Sequence, residues 1–488
     1  MTGGVVVRSA GLLLLALAAL WLVVRLVTGF DGLVGQDPYA YAAHTAAVKE
    51  AILGGPRPGP FFWPVGYPLV GAALALVGAP AAVVLQLVSA AAWLAAVIAG
   101  VALLSPAGEP ARRGDAAYWV VAFALAPYVL RSSLMVMSDA LAVTGVLWCL
   151  VCAVRWLEGG SPRWLVAAGG LAGAAVAVRW AAAPVLAPML LVLGVQAARR
   201  RRLVALAGAA LAGAACFLPQ TVLAGPAGLR PDHPFLAGWS PLNAVRLELT
   251  SSEGVQRVAI PSLVAVTAAP VHPGYFVFGL LALPWLRRRD LGGVAPRLAL
   301  AGFAAGAAFL AGLPIASPRF ALLVEPLALI ALAPAWRRLL DAAARRARWA
   351  PAVLLTAVAV AQLGLAGRAL VGPLALDRLE REVASYLADL SPTTLHTFSF
   401  TPALEALNTG HRLVELWSVD PEPPRPGDLV LFAPDRLRGQ WADHRLFANW
   451  KRIESGVLLE SIRSFDGGWT LWRVVGERPE HGLERVSP

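Results

Sequence analysis

The chain has 488 residues, of which 58% are hydrophobic and 15% charged. A soluble chain carries roughly a quarter charged residues, so the deficit argues against a cytosolic enzyme; disordered, collagen-like and disulfide-scaffold classes are excluded. The net charge of +11 is unevenly placed: residues 371–488 hold 13 basic and 17 acidic side chains, and residues 1–370 hold 28 and 13.

That distribution describes a membrane body, residues 1–370, joined to a water-soluble tail, residues 371–488. Residues 5–28 are apolar enough to form an uncleaved first span, with a signal peptide as the alternative. Further apolar runs at 81–104, 116–130, 137–156, 163–178, 182–197, 203–223, 270–286, 296–314, 320–335 and 350–370 bring the expectation to about eleven spans. Arginines cluster in alternate connections: Arg112 and Arg113, Arg155 and Arg163, Arg199 to Arg202, Arg287 to Arg289, and Arg337 to Arg348. The positive-inside rule makes those connections cytoplasmic, so the basic excess is not a nucleic-acid footprint. With the N-terminus inside, eleven spans put the tail and two large loops, 29–80 and 224–269, on the outer side.

The first outer loop opens on GQDPYAYAAHTAAVKE, a helix with Asp37 as its N-cap and Pro38 in its first turn. Asp37, Tyr41 and His44 then fall at i, i+4 and i+7, on one helix face. A carboxylate at the membrane boundary can act as a general base on a hydroxyl. The alternative is a helix cap with two residues anchored among headgroups.

Ionisable residues at span ends form a second set. Arg131 and Asp139 flank the fourth span, Arg179 follows the fifth, and Arg319 lies in SPRF with Glu325 six residues on. Three outward guanidinium groups can hold a phosphate through planar, permanently charged donor forks. Otherwise each reaches to headgroups or pairs with Asp139 or Glu325. His272 in PVHPGY and Asp232–His233 in RPDHP could contact substrate, but no spacing supports a metal. Trp63 or Trp239 could stack on a sugar ring. Cys149 and Cys152 form a C-x-x-C inside an apolar run and, with Cys216, are read as packing residues.

The tail reads as a small α/β domain. Residues 376–390 have helical periodicity; TLHTFSF, RLVELW, DLVLFA and WTLWRVV read as strands; PALEAL and the stretch from Trp441 to Trp450 read as helices. It has no Gly-rich phosphate loop, and the chain has no internal repeat.

GQDPYAYAAH after the first span, FFWPVGYPLVGAAL, SDAL, VRWAA and SPRFALLVEPLALI together resemble the GT-C superfamily. The nearest branch holds bacterial membrane glycosyltransferases related to protein O-mannosyltransferases and to the lipid A aminoarabinose transferase. The resemblance implies a polytopic α-helical GT-C fold with a small C-terminal α/β extracytoplasmic domain in the bacterial inner membrane. It implies transfer, with inversion, from a polyprenyl-phosphate sugar to a hydroxyl of a glycan, lipid or protein, with no cofactor and no metal. On this likeness Asp37 is the catalytic acid of the first loop, Arg319 meets the lipid phosphate, and Asp139 is the acid at the start of the fourth span. Tyr41, His44, Arg131, Arg179 and His272 are the remaining candidate substrate contacts. Many members carry two adjacent acids where this chain has Gln36 before Asp37. A transporter or lipid flippase is the second reading, weakened by the missing repeat. A non-catalytic scaffold or sensor is the third.

Overall fold

A computed structural model describes residues 3–478 except 60, 106–112, 225–237, 252–253, 258–259, 269–270, 315–316 and 442–444. Arg112, Asp232 and His233 therefore lie outside the described residues. The chain divides into two compact units: residues 1–33, 41–249 and 258–372 form the first, and residues 34–40, 250–257 and 373–488 the second.

The first unit is helical. Its elements are α1 (Gly3–Thr28), α2 (Gln36–Ile52), α3 (Gly66–Ala75), α4 (Ala81–Leu104), α5 (Arg113–Trp119), α6 (Pro127–Leu134), α7 (Asp139–Leu157), α8 (Pro162–Val178), α9 (Ala182–Arg199), α10 (Leu203–Ala224), α11 (Ser262–Thr267), α12 (Val294–Ala311), α13 (Glu325–Arg346) and α14 (Ala350–Ala388). The first turns of α2 and the last of α14 belong to the second unit. Seven helices are long and apolar enough to cross a membrane among the described residues, or eight if one bent pair counts as a span. The chain is an integral membrane protein, and several of its eleven apolar runs are not single straight helices.

The difference has local causes. The run at 116–130 breaks: α5 loosens into a π turn at Val120–Ala124, and Pro127 restarts the helix as α6 after a 69° bend. The run at 270–286 is a 3₁₀ segment, Val277–Trp285, with Pro284 inside it. The run at 320–335 divides into a 3₁₀ turn, Pro318–Leu323, and the start of α13. The last span and the helix expected at 376–390 are one 39-residue helix, α14.

Small residues bring α8 and α10 together: a Cβ on Gly173 would sit 2.1 Å from the Gly213 carbonyl oxygen. At the other side of the bundle Gln86 of α4 ties three segments, accepting from Arg25 Nε at 2.7 Å and donating to the Leu134 and Phe30 carbonyls at 2.8 and 3.2 Å. Cys149 and Cys152 are buried free thiols of α7, as the packing reading expects.

The second unit holds a five-stranded sheet of order β4-β3-β5-β7-β6, made of β3 (Thr394–Thr397), β4 (Arg412–Glu415), β5 (Leu429–Phe432), β6 (Val457–Ser464) and β7 (Thr470–Glu477). A short pair, β1 (Glu248–Ser251) and β2 (Gly254–Arg257), lies within the loop at 224–269. β3 runs parallel to β4 and β5, and β7 is antiparallel to both β5 and β6. Helices α15 (Thr401–Ala406), α16 (Pro434–Trp441) and α17 (Arg445–Gly456) complete the domain. Leu395, Val430, Phe432, Trp450 and Leu471 are in its core. The four strands and the helices read from the tail sequence are present; β6 was not among them.

Candidate functional site

The acid at the start of the fourth apolar run becomes the centre of a charge cluster. Asp139 is the first residue of α7, where unsatisfied backbone N–H groups favour a carboxylate. Its side chain is 1% exposed, so it needs partners. Arg179 is the first residue beyond α8 and adopts extended backbone there, which turns its side chain back across the bundle. Its Nη1 lies 2.7 Å from Asp139 Oδ1. Arg319 sits in the 3₁₀ turn before α13, after Ser317, whose Oγ accepts the Arg319 N–H at 3.4 Å. Arg319 Nε is 3.7 Å from Asp139 Oδ2.

Both guanidinium groups pair with the one carboxylate; the Arg179 side chain is 5% exposed and that of Arg319 29%. The pairing expected as the alternative to phosphate binding is thus realised by Arg179. Glu325, the other acid considered as a partner, is fully buried, and neither of its oxygens has a hydrogen bond among the described residues.

Aromatic side chains wall the cluster. The Arg179 guanidinium lies 5.6 Å from the ring centre of Phe320 and 5.9 Å from that of Trp63, distances at which a cation is attracted to a ring face. Arg179 Nη1 also donates to Ser138 Oγ at 3.4 Å, and Ser138 Oγ is 2.9 Å from Tyr41 Oη. Tyr41 meets Tyr67 and Phe61 edge-on at 5.2 and 5.4 Å. A second set of bonds holds Tyr67 Oη 2.8 Å from Ser89 Oγ, which donates to the Met137 carbonyl at 3.1 Å.

His44, one turn beyond Tyr41, stacks on Phe61 with ring centres 4.0 Å apart and planes at 6°. Burial lowers its pKa to about 4, so the imidazole is neutral near pH 7. Its Nε2 has no hydrogen-bond partner among the described residues.

The other candidates lie as follows. Asp37 is half-buried in the first turn of α2, which begins at Gln36, so it is a first-turn residue and not the N-cap. The residue before the helix is Gly35, at φ +70°, whose N–H donates to Glu380 Oε1 at 2.9 Å. Arg131, in α6, donates from Nε to Met135 Sδ at 3.4 Å. His272 is a loop residue: Nδ1 accepts the Gly274 N–H at 2.9 Å and the ring stacks on Tyr128. Trp239 donates from Nε1 to the Phe309 carbonyl at 2.9 Å. Ser138, Phe61 and Phe320 were given no role from the sequence, although each falls inside a motif quoted there.

No protein-family model and no curated protein matches the chain. Among solved structures it is similar to ArnT from Cupriavidus metallidurans in the apo state, with TM-score 0.59 and 16% identity, covering 93% of this chain and 97% of that one. It is likewise similar to the same protein bound to undecaprenyl phosphate, with TM-score 0.55, 16% identity and the same coverage. The chain therefore has the fold of ArnT.

Proposed function

We propose that the chain is an inverting glycosyltransferase taking a sugar from a polyprenyl phosphate. On this reading it acts at the outer face of the bacterial inner membrane, with the C-terminal domain extracytoplasmic. The observation that carries the reading is the Asp139–Arg179–Arg319 cluster, in which a half-exposed guanidinium stands beside a buried ion pair. The ArnT fold, solved with undecaprenyl phosphate bound, supports the same donor class.

In the proposed reaction an acceptor hydroxyl of a glycan, lipid or protein loses its proton to Asp37 as its oxygen attacks the anomeric carbon. The bond from that carbon to the phosphate oxygen breaks, and its electron pair leaves on the polyprenyl phosphate. Arg319 stabilises the charge where it develops, which is the larger part of such catalysis. Asp139 holds Arg179 and biases Arg319 toward the phosphate. Arg131 and His272 serve the donor or acceptor at a greater remove. Tyr41 follows Asp37 by one helical turn, and its bond to Ser138 anchors that part of α2 to the start of α7. Trp63, Phe61 and His44 offer flat apolar faces of the kind that pack against a pyranose ring.

The test is binding and turnover by the full-length protein in detergent. Undecaprenyl phosphate should bind the wild type and bind Arg319→Gln at least tenfold more weakly. Polyprenyl-phosphate sugars should release polyprenyl phosphate only when an acceptor is present. Equal lipid binding by both proteins would overturn the assignment of Arg319. Failure of every lipid-linked donor to be consumed would overturn the activity.

A further inference from the structure

At the ends of α4, α7 and α12 remote from Asp139 there is a second polar constellation, inside a cavity of about 270 Å³. α7 has Asp139 at its start and Arg155 and Glu158 at its finish, so a full span separates the two sites. Arg155, Glu158 and Arg337 line the cavity, with Val151, Val154 and Ile330 as its apolar wall.

The charges there are not spent alike. Arg337 is neutralised: its Nε lies 2.5 Å from Asp115 Oδ1, and its Nη2 donates to the Leu104 carbonyl at 2.6 Å. Arg155 and Glu158 are three residues apart at one helix end, yet neither side chain has an ion pair or hydrogen bond among the described residues. Glu158 is the C-cap of α7, where the negative end of the helix dipole disfavours a carboxylate. The carbonyls of Trp156 and Leu157 are already capped by Arg200, which donates to them at 3.2 and 3.0 Å. Among the described residues, exposed Glu158 therefore lacks a cation and half-buried Arg155 an anion, and both line one cavity. That space is smaller than the roughly 300–1,000 Å³ of drug-sized sites.

We propose that this cavity binds a phospholipid with a phosphoethanolamine headgroup, its phosphate on Arg155 and its primary ammonium on Glu158. An ammonium has three donors and can hydrogen-bond the carboxylate, whereas a quaternary amine cannot. The apolar wall of Val151, Val154 and Ile330 takes the start of an acyl chain. Basic pockets between helix ends are known lipid sites; here the carboxylate adds selectivity for an amine. This site is independent of the transferase reading.

The experiment is lipid retention by the full-length protein, read by native mass spectrometry, from micelles holding equal amounts of a phosphatidylethanolamine, a phosphatidylcholine and a phosphatidylglycerol. The wild type should retain the ethanolamine lipid about tenfold over either competitor, the size of one charge-assisted hydrogen bond. Glu158→Gln should abolish the preference over choline, and Arg155→Gln should weaken retention of all three. Soluble glycerophosphoethanolamine should compete poorly; competition on equal terms with the lipid would reassign the site to a free phosphoamine. Equal retention of the three lipids by the wild type overturns the proposal whether or not the variants fold. So does a preference that survives both substitutions.

Discussion

Arg179 Nη1 and Asp139 Oδ1 are 2.7 Å apart, although they are 40 positions apart in the chain, with a helical hairpin between them. Both side chains are almost fully buried, so each is the solvent of the other. Removing one partner strands a charge, which costs about 3–5 kcal/mol, whereas replacing the pair together costs far less. Asp139→Ala should accordingly lower unfolding stability in detergent by that amount. The double variant Asp139→Ala with Arg179→Leu should recover part of it. Additive losses in a double-mutant cycle would show that the pair is not coupled.

Arg319 should behave differently, because it is half-exposed and 3.7 Å from the shared carboxylate. Arg319→Gln should leave the unfolding midpoint nearly unchanged while lowering kcat about 10²–10³-fold, the range for losing one preorganised donor to a developing anion. Arg319→Lys keeps the charge but not the planar fork and should restore only part of the rate. Steady-state kinetics beside a thermal melt separates the two effects.

Asp37→Asn should lower turnover about 10²–10⁴-fold, the contribution of a positioned general base, with lipid binding and melting unchanged. Wild-type turnover in this variant would remove Asp37 from the chemistry.

The buried neutral imidazole of His44 gives a signed pH effect. Its folded pKa of about 4 lies below the ordinary value of 6.5. Between those limits the unfolded chain binds a proton that the folded chain does not, so stability falls as pH drops from 6.5 toward 4. The contribution is fully present above pH 6.5, and its slope vanishes below pH 4. His44→Gln should flatten this part of the stability profile relative to the wild type, measured as the difference between the two proteins across pH.

Gly173→Leu should separate α8 from α10, because even a Cβ at that position would stand 2.1 Å from the Gly213 carbonyl oxygen, and a backbone atom cannot rotate aside. Overpacking of this kind costs about 1–3 kcal/mol. Gly194→Leu is the control: nothing lies within 4 Å of a Cβ built there, and the melting point should hold.

Hydropathy made the membrane-spanning character of the chain legible, because it is a sum over local segments. Periodicity found four of the five tail strands. It missed β6, whose pairing with β7 shifts register at Leu458/Leu459 and at Ser461/Arg463, so the period of two is broken. The count of eleven spans rested on apolar runs, some of which hold a break. A window over 116–130 averages across the bend before Pro127, and one over 320–335 averages across the turn that carries Arg319.

What the sequence determined by itself was which residue types stood at helix ends: Asp139 opening α7, Arg179 closing α8, Arg319 before α13, each expensive to bury and so already marked. Only the tertiary structure decided who meets whom. Tyr41 reaches Ser138 across 97 positions, and Arg179, not Arg131, is the guanidinium seated on Asp139 at 2.7 Å. Those choices follow from how the small faces of the helices pack and where the chain bends, which are long-range properties that no local periodicity records.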